Sequence, residues 1–250
     1  MVCVQIVPET HDVCSFYFRA KEPLLFNYKP GQFATLELKI DGASVKRSYT
    51  ISSSPSRPHL ISVTIKRVPG GRVSNWMHEH MSVWQEISIH GPNGEFNCFD
   101  YPSKKMLLIS GGSGITPCMS MLRYVCDTAS PVDVVFVHSA RTPIDIPFAS
   151  ELESLGVRNN VKTVVNVSKV PAGMTWNGYR GRISEEMIKM MVPDLKDRTV
   201  YICGPDPYMK AVKGLFENMG FDMKRYHQES FGGEQEDVSQ KEPKDIQPEP

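Results

Sequence analysis

The sequence predicts two domains: an antiparallel β-barrel, then an α/β unit on a Rossmann-like parallel sheet. Three observations carry that prediction. Up to about residue 100, apolar and polar residues alternate in short runs broken by turn signals, as half-buried antiparallel strands require. Beyond that point the apolar residues gather into unbroken runs such as Met106-Leu107-Leu108-Ile109, which suit strands buried on both faces. Helix-period stretches come after those runs, and strand–helix alternation builds a parallel sheet. The change falls near Tyr101-Pro102-Ser103-Lys104, giving domains 1–101 and 102–231.

In the first half, Val2, Val4 and Ile6 alternate, as do Cys14, Phe16 and Phe18. Pro30-Gly31 turns the chain into a strand whose Ala34, Leu36, Leu38 and Ile40 point one way. Asp41-Gly42 is a hairpin signal, and it leads to Arg47-Ser48-Tyr49-Thr50-Ile51-Ser52-Ser53-Ser54-Pro55. On an extended strand Arg47 and Tyr49 share one face and Thr50 lies opposite. A guanidinium, an aromatic ring and a run of hydroxyls suit a ligand with phosphate at one end and a flat ring at the other. The plainer alternative is a polar edge strand. After Pro55 and Pro58, residues 61–68 are apolar at odd positions and polar at even ones. Gly71-Arg72-Val73-Ser74 then shifts the period, with Ser74 placed to cap a short helix whose free N–H groups would hold an anion. A loop before a capped surface helix fits that tetrapeptide equally well. Gly91-Pro92-Asn93-Gly94 marks a further turn.

In the second half, the strand at 105–110 meets Gly111-Gly112-Ser113-Gly114-Ile115-Thr116-Pro117, and then Met119, Met121, Leu122 and Val125 continue at helical spacing. Glycines between a buried strand and a helix let backbone N–H groups approach a pyrophosphate; Pro117 falls in the first turn, where its missing N–H costs nothing. A second buried strand covers 132–137 and ends in His138-Ser139-Ala140-Arg141-Thr142, and a third candidate covers 161–165. A helix is expected from Ser184 to Met191. Thr199-Val200-Tyr201-Ile202-Cys203 precedes Gly204-Pro205-Asp206-Pro207, with Asp206 as the expected N-cap and Met209, Val212, Phe216 and Met219 as the buried stripe. Ligands of such sheets sit beyond the carboxyl ends of the strands, where the glycine turn, Ser139–Arg141 and Cys203–Pro205 all fall. Residues 232–250 are rich in charge and proline, the composition of a disordered linker.

The totals narrow the function classes. Of 250 residues, 28 are Lys or Arg and 28 are Asp or Glu, so net charge supplies no case for nucleic acid. No apolar run reaches the length of a membrane-spanning helix and no secretory signal pattern opens the chain, so a cytoplasmic protein that engages no membrane is expected. The six cysteines are scattered, without the pairing of a zinc or plant-type iron–sulfur site; they read as reduced thiols and no metal site is expected.

Taken in order, Arg47–Thr50, Gly71–Ser74, Gly111–Pro117 and Cys203–Pro205 resemble the ferredoxin–NADP reductase superfamily over residues 1 to about 231. Arg47–Pro55, Val63–Trp76, His138–Thr142 and Gln228-Glu229-Ser230-Phe231-Gly232 look more narrowly like the reductase components of Rieske-type oxygenases, those of glycine betaine monooxygenase systems among them; the reductase of hybrid-cluster protein is similar too. The resemblance implies FAD on the barrel and NADH or NADPH on the Rossmann-like domain. It gives Arg47 and Ser74 to the flavin pyrophosphate, Tyr49 to the isoalloxazine and Thr50 to the neighbourhood of its N5. Ser48, Ile65, Lys66, Val68, Gly71 and Val73 would complete the flavin seat. Thr116 would stand between flavin and nicotinamide, and Gly112, Gly114, Pro117, Ser139, Arg141, Gly204 and Pro205 would bind the nucleotide. Thr50, Cys203 and Glu229 are the residues implied at the chemistry, with Phe231 returning to the flavin's other face.

Relatives of this type carry a [2Fe–2S] domain after such a linker, in a region this chain does not include. The implied partner is a Rieske-type oxygenase component or a ferredoxin-like acceptor, met by a monomer. NADH is the expected donor, although Arg141 beside Ser139 is also placed to grip a 2′-phosphate. Cys203 could instead be a buried strand thiol, and Arg141 a solvated loop charge. Reductases of ferredoxin or flavodoxin that use NADPH are an alternative, as is a flavin-binding electron-transfer subunit without nicotinamide turnover.

Overall fold

The computed structural model describes residues 1–231, so the expected linker at 232–250 lies outside the described residues. The first half contains β1 (Val2–Thr10), β2 (Val13–Arg19), β3 (Phe33–Ile40), β4 (Ala43–Thr50), β5 (Ile61–Lys66), α1 (Arg72–His80) and β6 (Ser88–Asn93). Two antiparallel three-stranded sheets, ordered β1-β2-β5 and β4-β3-β6, face one another. An Ile51–Val63 bridge joins them on one side and a Val2–Glu86 bridge on the other. Those seams close the barrel that alternating strands predict.

The barrel core is Phe16, Phe18, Leu36, Leu38, Ile40, Val63 and Ile65, capped by Val73 and Met77 of α1. The odd-numbered apolar residues of β5 and the even-numbered ones of β3 point inward as their period demands. In β1 the period slips. The register shifts between Cys3 and Gln5, so Cys3 is buried where Val2 and Val4 stay partly exposed, and Ile6 regains the core side. A bulge adds one residue to one strand and thereby reverses the facing of the residues after it.

The second half contains β7 (Lys105–Gly111), α2 (Ile115–Asp127), β8 (Asp133–Ala140), α3 (Ala149–Leu155), β9 (Val161–Val167), β10 (Tyr179–Arg180), α4 (Glu185–Met191), β11 (Thr199–Cys203), α5 (Asp206–Asn218) and β12 (Tyr226–Glu229). Its strands form one sheet in the order β10-β9-β8-β7-β11-β12, all in parallel. One face packs Met106, Leu108 and Phe136 against α2 and α3. The other packs Leu107, Ile109 and Val137 against α4 and α5. The order turns back between β7 and β11, and that switch point is where open α/β sheets bind ligands.

Two helix starts differ from expectation. Gly71, not Ser74, occupies the N-cap of α1. Ser74 lies inside the first turn, where its hydroxyl accepts the Val68 N–H at 3.2 Å and closes the preceding loop. Pro205, not Asp206, is the N-cap of α5, and Asp206 is already helical with Pro207 beside it in the first turn, where a proline forfeits no hydrogen bond. The helix expected from Ser184 to Met191 forms at Glu185–Met191, with Ser184 as its N-cap: the Ser184 side chain accepts the Met187 N–H at 3.3 Å.

Candidate functional site

A cleft of about 360 Å³ lies between the barrel and the carboxyl end of the parallel sheet. Such a volume is in the range of small-molecule sites. Arg47, Ser48, Tyr49 and Thr50 line it together, so both faces of the β4 end contribute. Thr50 ends its pairing with Phe33 and Ile51 crosses to Val63, so the strand passes from one sheet to the other and the cleft wraps around it.

The cleft is cationic at one end. Arg47 forms no ion pair with the described residues, while Lys66 is held by Asp12 at 3.1 Å. An unpaired guanidinium beside an open cleft is a ready partner for phosphate. Tyr49 is largely withdrawn from water and burial pushes its hydroxyl up to about 12, so it meets a ligand as a neutral ring.

Glu229 closes the other end. β12 pairs beside β11 so that Glu229 lies opposite Cys203, and a Cβ built on Gly94 would sit 3.8 Å from its Oε1. The carboxyl therefore reaches across from the sheet to the barrel. Its Oε2 is buried without a hydrogen-bond partner among the described residues, and burial raises its pKa to about 7. An orphaned buried carboxyl oxygen in a ligand-sized cleft is what a missing polar partner leaves behind. Ser230 donates to Asp206 of α5, and Phe231 comes next at the rim, 43% exposed.

The glycine turn stands behind the cleft, which it lines through Ser113. Gly112 takes φ +53°, and Gly112–Gly114 make one 3-10 turn that runs directly into α2. Gly114 is required by packing: a Cβ there would stand 2.2 Å from the Cys203 carbonyl oxygen. The two loops at the switch point touch backbone to backbone, as a cradle for a flat or phosphorylated ligand needs. Thr116 lines the cleft while its hydroxyl donates to the Ser113 carbonyl at 3.2 Å.

Of the expected site residues, Arg47, Ser48, Tyr49, Thr50, Lys66, Val68, Thr116, Glu229 and Phe231 come together on the cleft. Others do not line it. Ile65 and Val73 face the barrel core, and Gly71 and Ser74 form the loop behind Val68. Gly112, Gly114, Pro117, Gly204 and Pro205 shape the switch point without lining the cleft. Ser139 is turned into the sheet's other face, where its hydroxyl donates to Asn166 at 2.6 Å and meets Tyr208 at 3.1 Å. Arg141 is exposed on its loop. Cys203 is fully buried, and burial holds its thiol well above the ordinary value, so it contributes a neutral thiol and a backbone contact. Phe33 and Thr64 also line the cleft, and only their pairing across the barrel brings them there. No cluster of His, Cys, Asp or Glu fit to hold a metal is present among the described residues, and no described helix is long and apolar enough to cross a membrane.

Two clasps tie the walls together. Arg123 of α2, 5% exposed, donates to the Ser52 carbonyl at 2.6 Å and holds Glu151 through two nitrogens. Ser120, one helical turn earlier, donates to the Ser53 carbonyl at 2.7 Å. At the helix end Asp127 accepts from both Ser56 and Arg57.

Comparison with known proteins agrees with this geometry. Residues 3–98 match the family described as oxidoreductase FAD-binding domain, and residues 108–214 the one described as oxidoreductase NAD-binding domain. The glycine betaine monooxygenase reductase subunit of Chromohalobacter salexigens is 52% identical over 94% of this chain. The stachydrine N-demethylase reductase subunit of Rhizobium meliloti is 39% identical over 98% of this chain and 70% of its own length. Against the glycine betaine relative the chain spans 65% of the full length. The FAD/NAD-binding domain of a nitric oxide dioxygenase from Vibrio cholerae superposes with a TM-score of 0.83, covering 93% of this chain and 98% of that one at 23% identity. That last likeness speaks for the fold.

Proposed function

Because the chain belongs to the ferredoxin–NADP reductase family of FAD- and NAD-binding oxidoreductases, we propose that it takes reducing equivalents from NADH at the switch point and passes them through FAD in the cleft to an iron–sulfur acceptor. The observation that carries this is the meeting, in one cleft, of Arg47 (without an ion pair among the described residues), a neutral Tyr49 ring, Thr50 and the protonatable Glu229. Bound FAD would supply the chemistry, accepting two electrons from a reduced nicotinamide and releasing them singly. The residues supply position and charge. Arg47 neutralises the pyrophosphate, Tyr49 covers the flat ring and Thr50 places a hydroxyl beside it. Glu229, near its midpoint at neutral pH, holds a proton at the cleft's sheet side. Thr116, at the start of α2, spaces the ring of a nicotinamide from the flavin, and the Gly114–Cys203 backbone contact keeps that approach close.

The partner is inferred from the relatives' names: an oxygenase component of the kind served by the glycine betaine monooxygenase and stachydrine demethylase reductases. The final acceptor cluster would then lie in a region that this chain does not include. The test is anaerobic stopped-flow reduction of the FAD-loaded protein. We expect stoichiometric yellow flavoprotein that NADH bleaches faster than NADPH. A chain that takes up no FAD would refute the reading, and a marked NADPH preference would instead assign Arg141 to a 2′-phosphate.

A further inference from the structure

Buried inside the barrel wall is a file of side-chain hydroxyls that the foregoing chemistry does not use. Ser15 on β2 and Thr64 on β5 are direct cross-strand partners, with their hydroxyl oxygens 2.8 Å apart. Ser15 donates to the Glu9 carboxylate at 2.6 Å. On the other side Thr64 lies 2.9 Å from the Ser52 hydroxyl, which is 2.9 Å from that of Ser62. Ser15, Ser52 and Ser62 have no exposure at all. The two ends of the segment differ in kind. Glu9 is only partly buried, whereas Thr64 lines the cleft.

We propose that Glu9, Ser15 and Thr64 form a proton relay between solvent and the cleft, separate from Glu229. The proposal rests on the reading that FAD occupies that cleft. Reduction then balances as FAD + NADH + H⁺ → FADH2 + NAD⁺, and the later release of two electrons returns 2 H⁺. One proton must therefore enter the cleft, and two must leave it, in each cycle.

The file is satisfied in either direction, which a purely structural ladder has no need to be. With Glu9 ionised, Ser62, Ser52, Thr64 and Ser15 each donate toward the carboxylate. With Glu9 protonated the order reverses, and Ser52 ends the run by donating to the Ser62 carbonyl at 3.2 Å. For delivery, Glu9 gives its proton to Ser15 as Ser15 gives its own to Thr64, and Thr64, turned from Ser52 toward the cleft that it lines, gives its own to the ligand there; solvent then reprotonates the carboxylate. The surroundings of Glu9 suit exchange. Burial raises its pKa; the Ser15 hydroxyl, Arg123 on α2 and the Phe148 backbone lower it, and Glu151 on α3 raises it further. Its other titratable neighbours, Cys14 and Tyr17, are themselves pushed up by burial. Glu9, Ser15 and Thr64 are positioning residues in this scheme, since only Thr64 reaches the cleft.

The test is photoreduction of the FAD-loaded chain without nicotinamide, with proton uptake tracked by a pH-indicator dye. Glu9→Gln and Ser15→Ala are expected to slow uptake by on the order of a hundredfold, the low end of what a placed proton-transfer group contributes. Small weak acids in the buffer should restore the Glu9→Gln rate. Ser62→Ala removes a hydroxyl of the same file outside the Glu9–Thr64 segment and should leave uptake unchanged. If Glu9→Gln retains no FAD, Glu9→Asp, which keeps the acid but shortens its reach, should show the slowing. Unchanged uptake in FAD-loaded Glu9→Gln and Ser15→Ala, or equal slowing in Ser62→Ala, would overturn the relay. Wild-type protein that binds no FAD would instead refute the reading beneath it.

Discussion

Glu229→Gln tests the electrostatics of the cleft without relying on turnover. The carboxyl belongs at 4.5 in water and burial carries it to about 7 in the folded protein. A folded-state value above the unfolded one means that the native structure holds the proton more tightly than the open chain. Stability from this group is therefore complete below about pH 4.5 and drains away as pH climbs through about 7. Once both states are ionised, the native state has lost about 3 kcal/mol relative to low pH. Most of that, about 2.5 kcal/mol, develops between roughly pH 5 and pH 8. The glutamine side chain is neutral throughout and keeps the shape.

The assay is denaturant unfolding of the FAD-free protein at both ends of that interval. Wild type and variant share every other titration, so the difference between them isolates the one carboxyl. The variant should gain on wild type by about 2.5 kcal/mol as pH rises. A gap of the same size at both pH values would show that Glu229 is ordinary in solution, and the account of an orphaned, desolvated carboxyl would fail.

Three further outcomes rest on the contacts around the cleft. Arg47→Ala removes the unpaired guanidinium and should weaken FAD binding by about 10- to 100-fold, the range for one charge-assisted hydrogen bond; flavin fluorescence titration reads it, and an unchanged Kd would clear Arg47 of the phosphate. Gly114→Ala forces a Cβ to within 2.2 Å of the Cys203 carbonyl, so the switch-point loops must part; NADH reduction should collapse while FAD stays bound, and normal reduction kinetics would refute the close-approach argument. Arg123→Met leaves the buried Ser52 carbonyl without its donor and the part-exposed Glu151 without its partner, which should cost about 2 kcal/mol in unfolding measurements; a loss below about 1 kcal/mol, the size of a surface pair, would deny the clasp its role.

What the sequence made legible was whatever depends on near neighbours. The unbroken run at Met106–Ile109, bounded by a glycine turn, suited a strand covered on both faces, and it lies at the centre of the sheet. The glycines at 111, 112 and 114 announced a tight strand-to-helix turn because so few residues tolerate it. Contacts set by pairing across the barrel were not legible. Ser15 and Thr64 are 49 positions apart and read as ordinary polar positions of two separate strands. Phe33 enters the cleft only because β3 pairs beside β4. The bulge at Cys3–Gln5 inverted a facing that alternation alone assigned with equal ease to either side, since both parities of β1 carry apolar residues. Cys203 shows the converse limit: its position in the chain was read correctly, yet its side-chain direction, into the sheet, is fixed by strand pleat and helix cover together.

Both proposed cofactor seats meet one element. α2 begins at Gly114–Thr116, where a nicotinamide would approach, and its next turns send Ser120 and Arg123 to the carbonyls of Ser53 and Ser52. Those carbonyls lie two and three residues beyond Thr50, the hydroxyl proposed to stand beside the flavin. Hydride transfer demands reacting atoms about 3–3.5 Å apart, and a shift of about an ångström between lobes would slow it by on the order of a hundredfold. A surface ion pair such as Arg57–Asp127 is too weak and too solvent-screened to hold that tolerance. Arg123 is not: it is buried, bidentate to Glu151, packed 4.6 Å from the Phe148 ring, and bonded to backbone, not to another mobile side chain. The distance between the two proposed seats would therefore be set less by the size of the lobe interface than by two donors on one rigid helix gripping the chain just beyond the strand proposed to carry the flavin.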